Sequence, residues 1–411
     1  MKITKSNIYI FSFFLLFLDA VLRLEQKSGI TLDRIFFILP IILTFIFHTK
    51  LYLKFSIIYF IFFFYNLFLS SIYGSTEYFI QMSVHYFIIM NIALIVIILI
   101  KEKKEEKIIS LLYYTYLLII VTAFSQILFG YHLPNVEVYP NGEVQTFFRI
   151  HNDMGVALMS GIPIVIMKLY KKKNFFLKFT IILISVIYIS YLNDTKTALM
   201  AIFIFIFIFI FNIFFLDRKN SSKLFIILGT LTVISTSIIT VYNNDLKIEF
   251  ANETRHTNEL IFDPIIRIAT LDMYPMDSWG SVENRVNAAI IGIKVYLDSF
   301  MIGIGYGNSV SVLERPENQL KAAKSLHNDV LVWLLEFGLI ILFIYLFFIY
   351  KISSLLFRKY TLINNIRISI LFSFPLGILS SSGVTSNYYF LISFFLLIFY
   401  KDYRENTIYN G

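Results

Sequence analysis

The feature that most constrains this chain is a succession of long apolar runs joined by short polar turns. A helix needs roughly 20 apolar residues, or about 17 at the short end, to cross the hydrocarbon core of a bilayer. Runs that meet or approach this length fall at 7–22, 34–48, 54–73, 79–100, 108–129, 153–170, 176–192, 197–216, 224–242, 327–350, 363–382 and 386–400. Each predicts a helical span, because in lipid a helix satisfies its own backbone polar groups. A barrel would need short alternating segments, and these runs are unbroken. Composition agrees: 58% of the residues are hydrophobic and 15% charged, against about 25% charged in an ordinary soluble domain. Soluble, disordered and collagen-like chains are excluded. The expected fold is all-α, a polytopic integral membrane protein of about 12 transmembrane helices with one long periplasmic or extracellular loop. The first run follows Lys2 and Lys5, as in a signal peptide, but it ends at Asp19 and Arg23 without a small-x-small cleavage site. It therefore reads as a retained first span.

Orientation follows from the lysines and arginines, which favour the cytoplasmic side of short loops. With the N-terminus inside, the cytoplasmic segments hold 22 of the 35 cations and the short outside loops hold 5. The other 8 lie in 243–326, together with 11 acidic residues, in a stretch too long to obey the rule. The expected organisation is helices 1–9 over 1–242, a long outside loop over 243–326, and helices 10–12 with a cytoplasmic tail over 327–411. Both termini are then cytoplasmic. The net charge of +8 sits in loops facing anionic lipid, and no soluble basic module for nucleic acid is present.

Long loops are usually functional, and the second half of 243–326 carries a pattern. Val286, Ala289, Ile290, Ile293, Leu297 and Phe300 fall at helical spacing, which predicts an amphipathic helix over 283–300, at the membrane interface or capping a cavity. Gly303 and Gly305 then break it.

There is no cysteine, which removes disulfides, iron–sulfur clusters and thiolate zinc sites. None of the 6 histidines pairs at metal-ligand spacing and no Asp-x-Asp occurs, so neither a metal nor another cofactor is expected. Two histidines share a context: His151-Asn152-Asp153 and His327-Asn328-Asp329 each open an apolar run after an outside loop. Asn and Asp are good helix caps, and for His151 capping is the simpler reading, although Arg149 stands beside it. His327 has more support, since an imidazole at the end of the long loop can act as a base near neutral pH. Glu336 lies nine residues further on, and a carboxylate inside a span is expensive unless paired or functional. Arg149, Lys196, Arg255, Arg267 and Arg285 form a set of cations expected at the outer face, suited to a lipid pyrophosphate.

Four short motifs in order resemble the bacterial O-antigen polymerase and O-antigen ligase superfamily. They are Arg149-Ile150-His151-Asn152, then Thr195-Lys196-Thr197-Ala198, then Ser281 through Arg285 leading to Gly303-Ile304-Gly305-Tyr306-Gly307-Asn308, and finally His327-Asn328 through Gly338. The likeness covers roughly 145–345. It implies metal-independent glycosyl transfer at the outer face of the inner membrane, from a glycan on undecaprenyl pyrophosphate. His327 would be the base, Arg285 and Lys196 would hold the pyrophosphate, and Arg149, Asn328 and Glu336 would line the donor or acceptor site. The acceptor would be another glycan or lipid A–core, with a chain-length regulator as a further partner.

Two departures favour polymerase over ligase. Ligases usually have Arg where this chain has Lys196, and their final motif asks for Gly, Thr or Tyr at the place of Ile341. The remaining alternative, a polysaccharide-unit flippase or other transporter, would more readily show repeated halves with charges at the midplane.

Overall fold

The computed structural model describes residues 4–18, 32–73, 77–130, 146, 148, 151–170, 172–193, 195–216, 263, 266–275, 281–315, 329–353, 361–377 and 387–400. Among these the regular structure is helical throughout, with no strand. The helices are α1 (Lys5–Phe17), α2 (Leu32–Phe47), α3 (Thr49–Tyr73), α4 (Glu77–Lys101), α5 (Glu105–Phe129), α6 (His151–Leu169), α7 (Phe175–Leu192) and α8 (Lys196–Leu216). Then follow α9 (Ser281–Asp298), α10 (Asn308–Leu313), α11 (Asp329–Phe337), α12 (Leu339–Ser353), α13 (Leu362–Gly377) and α14 (Tyr388–Phe399). Most expected runs therefore return as helices within a few residues; the run 224–242 lies outside the described residues.

Among the described residues, four stretches are long and apolar enough to cross a membrane: Thr49–Tyr73, Met82–Lys101, Glu105–Phe129 and Phe175–Leu192. The chain is a helical membrane protein, and the expected 12 spans go beyond what these lengths establish. One expectation needs correction. The single span over 327–350 is two helices, α11 and α12, parted at Gly338, whose φ is 67°.

The chain divides into two compact units, one of residues 1–64, 81–206 and 349–411, the other of 65–80 and 207–348. In the first, α5, α6, α13 and α14 pack together with α1, α2 and α7. Its centre is a pair of buried tyrosines. Tyr116 and Tyr389 stack at 6.2 Å with an interplanar angle of 20°. A buried hydroxyl needs a partner, and each finds a helix carbonyl: Tyr116 donates to Leu158 at 2.7 Å and Tyr389 to Leu112 at 3.1 Å. Gly161 makes room, since a Cβ there would meet the Tyr116 ring at 2.0 Å.

One end of this unit is tied by ions. Glu102 at the end of α4 meets Lys5 at 3.7 Å and His48 at 3.4 Å. Lys107 donates to Asn7 at 2.8 Å, and Lys168 donates to Ser110 at 2.6 Å. Arg367 donates to the carbonyls of Leu397 and Ile398 at 2.8 and 3.0 Å. Those carbonyls belong to the last turn of α14, which has no intrahelical donors left for them, and a cation is favourable at that end.

Gly161→Ala is expected to lower the detergent melting temperature of the purified protein, with a cost of about 1–3 kcal/mol for overpacking. Tyr116→Phe is expected to cost less, about 1 kcal/mol for one hydrogen bond. A Gly161→Ala variant that melts with the wild type would contradict the close packing of α5 on α6.

Candidate functional site

The second unit is organised around the glycines between α9 and α10. α9 forms where the sequence spacing predicts a helix, but the expected face is not the one that packs: 286–292 is buried on all sides, and its contacts with Ile304, Val312, Leu313 and Leu335 run through Ala288 and Ile291, with Val295 and Tyr296 beside them. It ends in a Schellman turn: Phe300 N–H donates to the Leu297 carbonyl and Met301 N–H to the Tyr296 carbonyl, each at 3.0 Å. Phe300 and Met301 take φ of 53° and 61°, which side-chain-bearing residues adopt only under constraint. Leu297, half a turn around α9 from the packed Ala288, Ile291 and Val295, and Phe300, in the turn itself, are 41% and 83% exposed, although both belong to the expected apolar face.

Gly303, Gly305 and Gly307 follow with φ of 93°, 90° and 72°. The first two are also required by closeness. A Cβ on Gly303 would lie 2.6 Å from the Glu336 carbonyl oxygen, and one on Gly305 would lie 2.3 Å from Ser70 Oγ. This segment lies along the last turn of α11. Ile304 N–H donates to the Leu335 carbonyl at 2.9 Å, Gly305 N–H to the Glu336 carbonyl at 3.0 Å, and Leu339 N–H to the Met301 carbonyl at 2.9 Å. The carbonyls freed by the break at Gly338 are thus satisfied, which is why the break is tolerated in apolar surroundings.

The Glu336 side chain completes the arrangement. It is 1% exposed, and its Oε1 accepts from Gly307 N–H at 2.9 Å and from the Ser309 hydroxyl at 2.7 Å. Asn308 Nδ2 donates to the Ile304 carbonyl at 2.7 Å and to Ser70 Oγ at 3.0 Å. The Tyr65 hydroxyl donates to the Ile302 carbonyl. Nearby, Asn287 holds the backbone of Tyr274 at both its N–H (2.8 Å) and its carbonyl (3.2 Å).

At the end of the first unit away from the ion pairs, the N-termini of α6, α8 and α14 come together. Asn387 caps α14 through Phe390 N–H at 3.0 Å and donates to the Asp153 carbonyl at 2.7 Å. A Cβ on Gly155 would lie 3.1 Å from Thr195 and Ala198, so α6 rests directly on the α7–α8 turn. Thr195 donates from Oγ1 to the Ser190 carbonyl at 3.1 Å.

Of the residues singled out in the sequence, Lys196 is the first residue of α8. Arg285 is exposed in the second turn of α9, and Glu336 is buried at the end of α11. His327, Asn328 and Arg149 lie outside the described residues, as does Arg255. Arg267 is occupied: Asp263 and Asp272 each take it at 3.0 Å, and it stacks 4.3 Å from the Tyr274 ring centre. The Tyr274 hydroxyl, together with the Arg267 guanidinium, holds Asp263 below the usual carboxylate range, while burial pushes Tyr274 up to about 12. Among the described residues, no group of three His, Asp or Glu is placed to hold a metal ion.

Residues 179–346 match the sequence model of the O-antigen ligase family. The matched stretch contains Lys196, Arg285, the glycine segment, His327 and Glu336. It supports the O-antigen ligase and polymerase superfamily that the motif order resembles, and with it an enzyme of the O-antigen ligase type in a membrane. No curated protein sequence matches the chain.

Sequence reasoning missed Ser70, Ser309 and Asn287, because isolated small polar residues in apolar runs carry no signal of their own. Glu336 was legible as a carboxylate in need of partners, though not as the clasp of the glycine segment.

Glu336→Ala is expected to lower the melting temperature by removing the acceptor for Gly307 N–H and Ser309, at about 1–3 kcal/mol for each buried group left without a partner. Glu336→Gln keeps an acceptor oxygen and should melt nearer the wild type. Equal melting of the Ala variant and the wild type would remove Glu336 from this role.

Proposed function

We propose that the chain is a lipid-linked-glycan polymerase of the inner membrane, joining oligosaccharide repeat units carried on undecaprenyl pyrophosphate into a surface polysaccharide. The observation that carries this reading is the O-antigen ligase family match over 179–346, which spans the proposed base and both proposed pyrophosphate cations. In the reaction, an acceptor sugar hydroxyl attacks the anomeric carbon of the donor. A new glycosidic C–O bond forms as the bond from that carbon to the pyrophosphate oxygen breaks. The hydroxyl proton passes to the His327 imidazole, and undecaprenyl pyrophosphate leaves as an anion. Fixed cations stabilise charge that develops in the transition state, the role proposed for Arg285 and Lys196. The donor already holds the energy of the bond, so the scheme requires neither nucleotide nor metal. Arg149 and Asn328 are assigned to the glycan and Glu336 to positioning, with a chain-length regulator as a further partner. The proposed topology is 12 spans with both termini cytoplasmic and the site at the outer face.

Transfer of the finished glycan to lipid A–core, the ligase activity, is the second reading, and the description of the matched family favours it. Lys196 and Ile341, which depart from the ligase pattern, weigh toward polymerase.

A deletion strain is expected to display surface glycan of single repeat units on gels, whereas loss of a ligase leaves long chains on the lipid carrier. Long carrier-linked polymer in that strain would overturn the polymerase assignment. His327→Ala and His327→Asn are expected to abolish extension at normal membrane expression, and normal glycan ladders from both would remove the base. Lys196→Ala should be severe and Lys196→Arg active, because the site needs charge. Arg285→Lys should fall between, since Lys lacks the planar fork of Arg.

A further inference from the structure

A cavity of about 210 Å³ opens at the ion-paired end of the first unit, lined by Glu106, Ile109, Met167, Lys168, Tyr170, Lys172, Leu362, Ile363, Ile366 and Tyr400. These residues belong to the first turns of α5 and α13 and to the last turns of α6 and α14 or the residues just after them, so the cavity sits where four helices end together. Within the first unit it lies at the end opposite the α6, α8 and α14 N-termini, and nothing in the proposed transfer reaction uses it.

Its two sides differ in chemistry. One wall is apolar: Met167 and Leu362 are half-buried there, backed by the buried Ile109, Ile363 and Ile366. The rim is cationic. Lys168, only 15% exposed in its side chain, reaches Ser110 at 2.6 Å and Glu106 at 3.6 Å. An ammonium has three donors, so one remains beyond those two contacts. Lys172 is exposed on the turn that follows α6. Glu106 is an anion on the same rim, but it faces Lys168 and is 55% exposed. Lys173, exposed beside Lys172, adds to the positive charge at this end.

We propose that this cavity holds the headgroup of an anionic phospholipid, its phosphate against Lys168 and Lys172 and the first methylenes of its chains against Met167 and Leu362. Basic pockets between membrane helices select such headgroups. The apolar wall decides between a lipid and a soluble anion, since free phosphate would gain nothing from covering Met167 and Leu362. Tyr170 and Tyr400 flank the rim, and tyrosine is enriched at headgroup level. The bound lipid would tie together the ends of α5, α6, α13 and α14.

The test is native mass spectrometry of the purified full-length protein, with phosphatidylglycerol and phosphatidylcholine of identical chains as probes. The wild type is expected to retain more phosphatidylglycerol than phosphatidylcholine. Lys172→Ser alters an exposed side chain and should lower phosphatidylglycerol retention about fivefold, the factor for ~1 kcal/mol from one cation near an anionic headgroup. The Lys168→Gln, Lys172→Ser double variant should retain the two lipids alike, with its phosphatidylcholine retention serving as the check that it is folded. Equal retention of the two lipids by the wild type would overturn the proposal, as would unchanged phosphatidylglycerol retention in both variants. Displacement of phosphatidylglycerol by millimolar inorganic phosphate would show a soluble-anion site instead. None of these outcomes depends on glycan transfer, which is read separately from glycan ladders.

Discussion

Every backbone N–H and carbonyl in an apolar setting needs a partner from the chain itself, because no water is there to supply one. That requirement governs each feature of this protein. Where the chain is helical, the requirement is met along the helix and the side chains are free to be apolar, which is how runs rich in Phe and Ile become structure. Where the helix stops, some other group must step in. Arg367 does so for the end of α14, Asn387 for its beginning, and the glycine segment for the end of α11. These substitutions for the missing helix partners occur at helix ends, and those ends are also where the polar residues collect.

The glycine segment shows how closely the two demands are linked. α11 could not end inside an apolar run unless Leu335 and Glu336 found donors for their carbonyls, and Ile304 and Gly305 provide them. Those donors can approach only because Gly303 and Gly305 have no side chain to obstruct the contact. The Glu336 carboxylate then fixes the far end of the segment through Gly307 and Ser309. Removing any one member leaves polar groups of the others without partners, so the segment is expected to behave as a unit rather than as independent contacts.

Much of this was legible in the sequence and some was not, for definite reasons. Long apolar runs specify helices in lipid with little ambiguity, so the positions of α3, α5 and α7 follow from composition alone. The break at Gly338 was hidden, because glycine is common within membrane helices and only the approach of Met301 and Ile302, distant in sequence, shows that this one ends a helix. The spacing in 283–300 marked a helix, but it could not show which side would pack: Ala288, Ile291 and Val295 meet the core, and Leu297 and Phe300 are left exposed. Arg267 was grouped with the cations suited to a pyrophosphate, although Asp263 stands four residues before it, the spacing at which helix side chains meet. Glu336 was flagged by its expected depth, and its partners lay 27 and 29 residues away, beyond the reach of local pattern.

The interruption at Gly338 turns α11 into a short rod, gripped at its last turn by the glycine segment and packed on α9 through Leu331, Val332 and Leu335. Nine residues of helix measure about 14 Å at 1.5 Å per residue, and the Glu336 clasp grips the end away from Asp329. A tilt of about 10° at the clasp would move the Asp329 end by about 2.4 Å over that length. Placement of anything carried at that end is therefore a matter of leverage: the stiffness of the glycine segment, together with the packing of Leu331 and Val332, decides how sharply the tip is aimed. Sequence drift in Gly303, Gly305 or Ser309 would be amplified there, which makes these small residues the fulcrum of the second unit.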